Sequence, residues 1–84
     1  MDEFIWIDYN RGKIDHHALS TDEVEFAWCK RQDFARGVDP KHGPYTESFG
    51  QCPSGRLIRI VWRYDEDIDG EMKVFIINAY GGGK

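Results

Sequence analysis

Two arginines stand four residues apart in the run RLIRIVWRY, Arg56 to Tyr64. In a strand, alternate side chains face opposite sides, so Leu57, Arg59, Val61 and Arg63 share one face and Ile58, Ile60, Trp62 and Tyr64 share the other. At the usual rise the two guanidiniums lie about 13 Å apart with an apolar residue between them. Such a face is either a solvated one, its arginines paired with acidic cross-strand neighbours such as Glu47, or an anion site that uses the planar donors of guanidinium. His16, His17, His42, Cys29 and Cys52 raise the question of a metal. Adjacent histidines on a helix point about 100° apart, and no C-x-x-C or H-x-x-x-H spacing is present. Neither a metal site nor a cofactor is expected, and the two cysteines read as reduced structural thiols.

The elements that position these residues must fit into 84 residues, enough for one small domain and no second functional unit. The domain is expected over 1–80, followed by a flexible glycine-rich tail over 81–84. Aromatic residues make up 14% of the chain, with three Trp, and supply the large buried side chains a small core needs. A formal net charge of −4 excludes a generic nucleic-acid binder, which rests on excess Lys and Arg. The charge is unevenly placed. Acidic residues concentrate at Asp2 and Glu3, Asp22 to Glu25 and Asp65 to Glu71, while Lys30, Arg31, Arg36, Arg56, Arg59 and Arg63 occupy the middle. That pattern allows a basic concavity aimed at a specific ligand. No apolar run reaches membrane-spanning length, and the chain reads as cytoplasmic, with no membrane contact.

Phe4 to Tyr9 reads as a strand, broken by Asn10, Arg11 and Gly12, and Lys13 to Leu19 as a short helix. Ser20 and Glu23 have capping-box spacing, and Asp22, Glu23 and Glu25 place negative charge at the start of a helix over Thr21 to Arg31. Val24, Ala27 and Trp28 form its buried stripe. Asp33 to Val38 is a short strand, Asp39 to Pro44 a loop, and Tyr45 to Cys52 another strand. Pro53, Ser54 and Gly55 turn the chain into the arginine strand. After the acidic connection Asp65 to Gly70, Met72, Val74, Ile76 and Asn78 alternate with Lys73, Phe75, Ile77 and Ala79. Both faces are largely apolar, which marks a central strand covered on both sides. The expected fold class is α+β: an N-terminal strand, two helices, then a four-stranded antiparallel meander forming one sheet with the helices packed on one face.

The order of short motifs resembles the BrnT-type toxins of type II toxin-antitoxin systems, in the RelE and ParE-like superfamily. Those proteins open with a strand like F-x-W-D, matched by Phe4, Trp6 and Asp8 with one residue inserted before the aspartate. Their Lys-His-Gly-Val-like segment, leading into a helix that begins Ser/Thr-x-Glu-Glu, corresponds to His16 through Glu23, with Ala18 where the family has glycine. The family's G-R-L-L-x-V-V is matched by Gly55 to Val61, and its I-R-I-I-S-A-R by Val74 to Tyr80. Tyr80 stands where the family usually has arginine, and Gly81 to Lys84 stand where a basic helix commonly follows.

The resemblance implies a RelE-like fold and a metal-independent endoribonuclease that inhibits translation, neutralised by a small cognate antitoxin in a hetero-oligomer. RNA cleavage of that kind sends a 2′-hydroxyl against the adjacent phosphate and needs a base, cationic donors and an acid. His17 is the candidate base or acid, since imidazole titrates near neutral pH. Arg59 and Arg63 are the candidate charge stabilisers, and Tyr80 takes the place of the family arginine as proton donor or stacking surface. Arg56, Lys30 and Arg36 are the candidate RNA contacts. The alternative function is a noncatalytic protein-interaction module of the same fold, favoured by the acidic balance. A further alternative is an unrelated α+β domain with its two helices on opposite faces of the sheet.

Overall fold

The computed structural model describes residues 3–41 and 43–81. Along the chain run β1 (Phe4–Ile5), α1 (Asp8–His16), α2 (Thr21–Cys29), β2 (Gln32–Asp39), β3 (Gly43–Gln51), β4 (Leu57–Glu66) and β5 (Met72–Gly81). The described residues form an α+β domain with one mixed five-stranded sheet in the order β1-β5-β4-β3-β2. β1 runs parallel to β5, and every other neighbouring pair is antiparallel.

The N-terminal segment departs from the alternation pattern. Phe4 to Tyr9 is not one strand: pairing stops at Ile5, and a helix starts at Asp8, well before the expected Lys13. Asn10 is the cause. Its side chain is fully buried; Oδ1 accepts from the Ile7 amide at 2.7 Å and Nδ2 donates to the Ile5 carbonyl at 2.8 Å. One side chain thereby satisfies backbone groups on both sides of the strand-to-helix corner, which favours a helix start where turn composition alone suggests a break. α1 ends at His16 in a Schellman-type turn, with Ala18 N donating to Asp15 O and Leu19 N to Ile14 O. Ala18 occupies the left-handed region at φ 59°.

α2 has the expected reciprocal cap: Glu23 N donates to Ser20 Oγ at 3.2 Å, and Ser20 N donates to Glu23 Oε1 at 2.9 Å. It ends at Cys29, two residues short of the expected Arg31. Arg31 instead turns back, donating to the Trp28 carbonyl at 3.2 Å and laying its guanidinium 3.8 Å from the Trp28 ring centre and 4.7 Å from that of Trp62. β3 likewise begins at Gly43 inside the expected loop, with Pro44 opposite Val38 in the ladder. A proline near the start of a strand is tolerated because only one amide is lost from the pairing. β5 continues through Gly81, opposite Ile58; the rest of the expected tail, Gly82 to Lys84, lies outside the described residues, as does His42.

Both helices contribute side chains to one core with the sheet. Ile14 of α1 and Val24, Ala27 and Trp28 of α2 join Ile58, Ile60, Trp62, Val74, Ile76 and Ala79 in a single buried cluster. Trp28 and Trp62 meet edge to face at 5.2 Å. Below them Trp62 Nε1 donates to the fully buried Ser48 Oγ at 2.9 Å, and Ser48 donates to Asp33 Oδ1 at 2.6 Å. Asp33 in turn pairs with Arg31 at 3.1 Å. The polar side chains under the tryptophans thus form a connected path to the surface, which avoids the desolvation cost of an unpaired buried hydroxyl. The helix can sit this close to β3 because Gly50 lies beneath Ala27: an added Cβ there would be 2.7 Å from the Ala27 carbonyl carbon.

Candidate functional site on the open face of the sheet

The sheet face opposite this core brings several of the candidate residues together. Cross-strand pairing puts Glu47 opposite Val61 and Phe49 opposite Arg59 across β3 and β4, then Arg59 opposite Tyr80 and Val61 opposite Asn78 across β4 and β5. Residues paired in this way share a face. Asn78 is here because β5 carries a β-bulge: Trp62 pairs with Ile76 and Val61 with Asn78, leaving Ile77 as the extra residue. Strict alternation, which groups Asn78 with Ile76 and Ala79 with Ile77, is corrected by that single insertion. Ala79 falls in the core and Asn78 on the open face.

Of the sequence candidates, His17, Tyr80 and Arg59 are brought together. The His17 and Tyr80 rings are 5.7 Å apart, and Tyr80 pairs directly with Arg59. The Tyr80 hydroxyl, ahead of the Glu47 carboxylate, holds the Arg59 guanidinium above its ordinary value, so its positive charge is permanent. Glu47 Oε1 lies 3.5 Å from Arg59 Nε, an ion-pair distance, and Nε is shielded from solvent without a hydrogen-bond acceptor among the described residues. The guanidinium lies over Phe34 and Phe49, 5.0 and 5.7 Å from their ring centres, and those two rings stack on each other at 4.4 Å. Imidazole, phenol, guanidinium and carboxylate therefore run in sequence from the end of α1 to β3.

His17 is positioned by Arg56. That guanidinium donates to the His17 carbonyl at 3.1 Å and the Ala18 carbonyl at 3.3 Å, satisfying carbonyls at the C-terminal end of α1 with a cation. Arg56 thus works as a helix-end clamp. Arg63 shares the strand face with Arg59 but is held elsewhere, donating to Asp65 at 2.9 Å and lying over Phe75 at 4.8 Å. Lys30 sits past the end of α2 over the Phe26 ring, and Arg36 lines a separate depression near Arg31 and Tyr64. Neither shares a surface with His17 and Arg59.

Two residues not singled out from the sequence join the site. The earlier start of α1 places Tyr9 and Lys13 one helical turn apart, with Lys13 Nζ 5.1 Å from the Tyr9 ring centre. Together with Glu47, Val61, Asn78 and Tyr80 they line a cleft of about 310 Å³. Tyr45 also reaches this cleft, and its ring lies over Gly37, where a Cβ would stand 2.6 Å from Tyr45 Cζ. Asn78 carried one sequence signal: a lone amide in the apolar run VFIINAY, where a regular strand would bury it.

A second charged cluster lies at the β4–β5 turn. Lys73 pairs with Asp67, with Glu3 at 3.3 Å and with Asp69 at 3.6 Å. The Lys73 ammonium, helped by the Ile68 amide, holds the Asp67 carboxyl below its ordinary range, and the same contact raises Lys73. No group of three or more His, Cys, Asp or Glu side chains among the described residues is arranged to hold a metal ion. No helix among them is long and apolar enough to cross a membrane. Comparison with protein-family models, curated proteins and solved structures returns no match.

Proposed function

We propose that this chain is a BrnT-like toxin with a RelE-like fold, a metal-independent endoribonuclease that inhibits translation by cleaving RNA and is neutralised by a small cognate antitoxin in a hetero-oligomer. The supporting observation is that His17, at the end of α1, meets Tyr80, which pairs with Arg59 on the sheet. In this reading neutral His17 takes the proton from the 2′-hydroxyl as O2′ bonds to phosphorus. Arg59 donates to the phosphate oxygens as charge develops, and Tyr80 gives a proton to O5′ as the P–O5′ bond breaks. The products carry a 2′,3′-cyclic phosphate and a 5′-hydroxyl. The Arg59 side chain is 36% exposed, so its guanidinium is able to donate to a phosphate oxygen. A second support is Ala18: where the family carries glycine, this chain has φ 59°, the conformation that glycine adopts without steric cost.

The test is purified protein on RNA in the presence of a chelator, beside an oligonucleotide with 2′-deoxy sugars. Cleavage of RNA alone, lost in Arg59→Gln and His17→Ala variants that still fold, is the expected result. Intact RNA, with no slowing of growth on induced expression, sinks the activity. The interaction-module reading is favoured by one feature, that Arg59 and Arg63 already face carboxylates at Glu47 and Asp65. It predicts a tight protein partner with no effect on RNA.

A further inference from the structure

We infer that the cleft between α1 and strands β3 to β5 is a guanine subsite, in which Glu47 and Asn78 read the edge of the base. The inference rests on the proposal that the chain acts on RNA and adds which nucleotide the site selects. Glu47, Val61 and Asn78 form one register row across three strands, so the two outer residues stand two strand spacings apart, about 9.6 Å. Val61 between them is an apolar floor. Tyr9, Tyr45 and Tyr80 line the same cleft and offer aromatic faces, on which bases of any kind stack.

The polar pair is what selects among bases. Asn78 Oδ1 accepts from the Ala79 amide at 2.9 Å, which fixes the orientation of the amide and leaves Nδ2 as a donor toward the cleft. Glu47 offers only acceptors; Oε1 faces Arg59, and Asp39 adds a second carboxylate to the lining of the cleft. One donor beside a carboxylate matches guanine, whose O6 accepts and whose N1–H and N2–H₂ both donate. Adenine reverses the pattern: its N6–H₂ would meet the Asn78 donor, and its N1 lone pair the carboxylate. Uracil and hypoxanthine match O and N–H but lack the second donor. Lys13, whose ammonium lines the same cleft, supplies positive charge for a flanking phosphate.

Titration of the full chain with the 3′-monophosphates of guanosine, inosine, adenosine, cytidine and uridine tests this, read by calorimetry or by amide shifts. Guanosine is expected to bind about tenfold or more tightly than adenosine, the scale of discrimination by a well-matched polar pair, with inosine between them. Glu47→Gln and Asn78→Asp keep side-chain size and are expected to bring the guanosine-to-adenosine ratio toward one. If a variant fails to fold, the inosine step on the unaltered protein still decides the role of the 2-amino group. Equal affinities, or no binding of guanosine, overturn the subsite. RNA cleavage without preference for guanine would overturn the subsite and leave the ribonuclease standing; guanosine selection without cleavage would do the reverse.

Discussion

Replacing Gly50 with alanine is the sharpest test of how the helical layer is seated. Gly50 is buried, and the new Cβ would lie 2.7 Å from the Ala27 carbonyl carbon and 2.9 Å from its Cβ, with the Ala27 carbonyl oxygen closer still. Ordinary contact begins near 3.4 Å, so clearing the carbonyl carbon alone takes a retreat of about 0.7 Å, and the closer oxygen demands more. Because most of the obstruction is backbone, no side-chain rotation relieves it. The retreat also loosens the edge-to-face contact of Trp28 on Trp62 and the Arg31 cation above both rings. Overpacking of this kind costs roughly 1–3 kcal/mol; with backbone as the obstacle the upper half of that range applies, about 2–3 kcal/mol. An 84-residue domain has a total stability of roughly 4–13 kcal/mol at the usual value per residue, and the melting midpoint should fall by about 10–20 °C. Gly37→Ala is the matched control. The three atoms nearest its Cβ all belong to the Tyr45 side chain, which can swing aside, and the loss should stay under about 1 kcal/mol. Urea unfolding followed by tryptophan fluorescence measures both. A Gly50→Ala protein within about 0.5 kcal/mol of the parent, or no more affected than Gly37→Ala, would refute the seating.

Ala18→Gly should stabilise the protein by up to about 1 kcal/mol, since relief of roughly 1–2 kcal/mol of left-handed strain exceeds the added chain entropy; a lower melting midpoint would count against it. Asp67, held below its ordinary range by Lys73, contributes stability that is complete above the unfolded value of about 3.9 and is lost as pH falls through its folded value. Urea midpoints of the parent and Asp67→Asn should therefore differ at neutral pH and converge below about pH 4, and a constant gap would show that the ion pair is not responsible. Cys29 is exposed, while Cys52 is buried and its thiol is pushed up by burial first and the Glu23 charge second. A maleimide should label one thiol quickly and the second only on unfolding, and two fast thiols would contradict the packing at Cys52.

The parts of the fold legible in the chain were those with local causes. The Ser20–Glu23 cap, the Val24, Ala27, Trp28 stripe and the alternation through β4 depend on neighbours within one turn or one pleat, and each stands as read. The N-terminal corner was not legible, because its cause is a buried Asn10 amide joining Ile5 and Ile7, while asparagine in sequence signals a turn. That displacement hid Tyr9 and Lys13 as cleft residues. Arg56 illustrates the same limit for function. Beside a turn it reads as a solvated or RNA-binding cation, yet its partners are carbonyls 38 and 39 residues away. His17, Arg59 and Tyr80 were each picked by type, but only the register of β4 on β5 and the end of α1 bring them to one place.

The extra residue in β5 also makes chain length there almost independent of which side chains face the core. Before it, Val74 and Ile76 point to the helices; after it, Ala79 does. Removing Ile77 would leave a regular strand with the same residues inward and the same residues outward. A shorter homologue would thus conserve the core and still align with this chain only through a one-residue gap at the cleft. Gains and losses at this position would reshape the wall beside Asn78 without disturbing the hydrophobic layer, so the bulge is where the cleft could change shape while the fold stays the same.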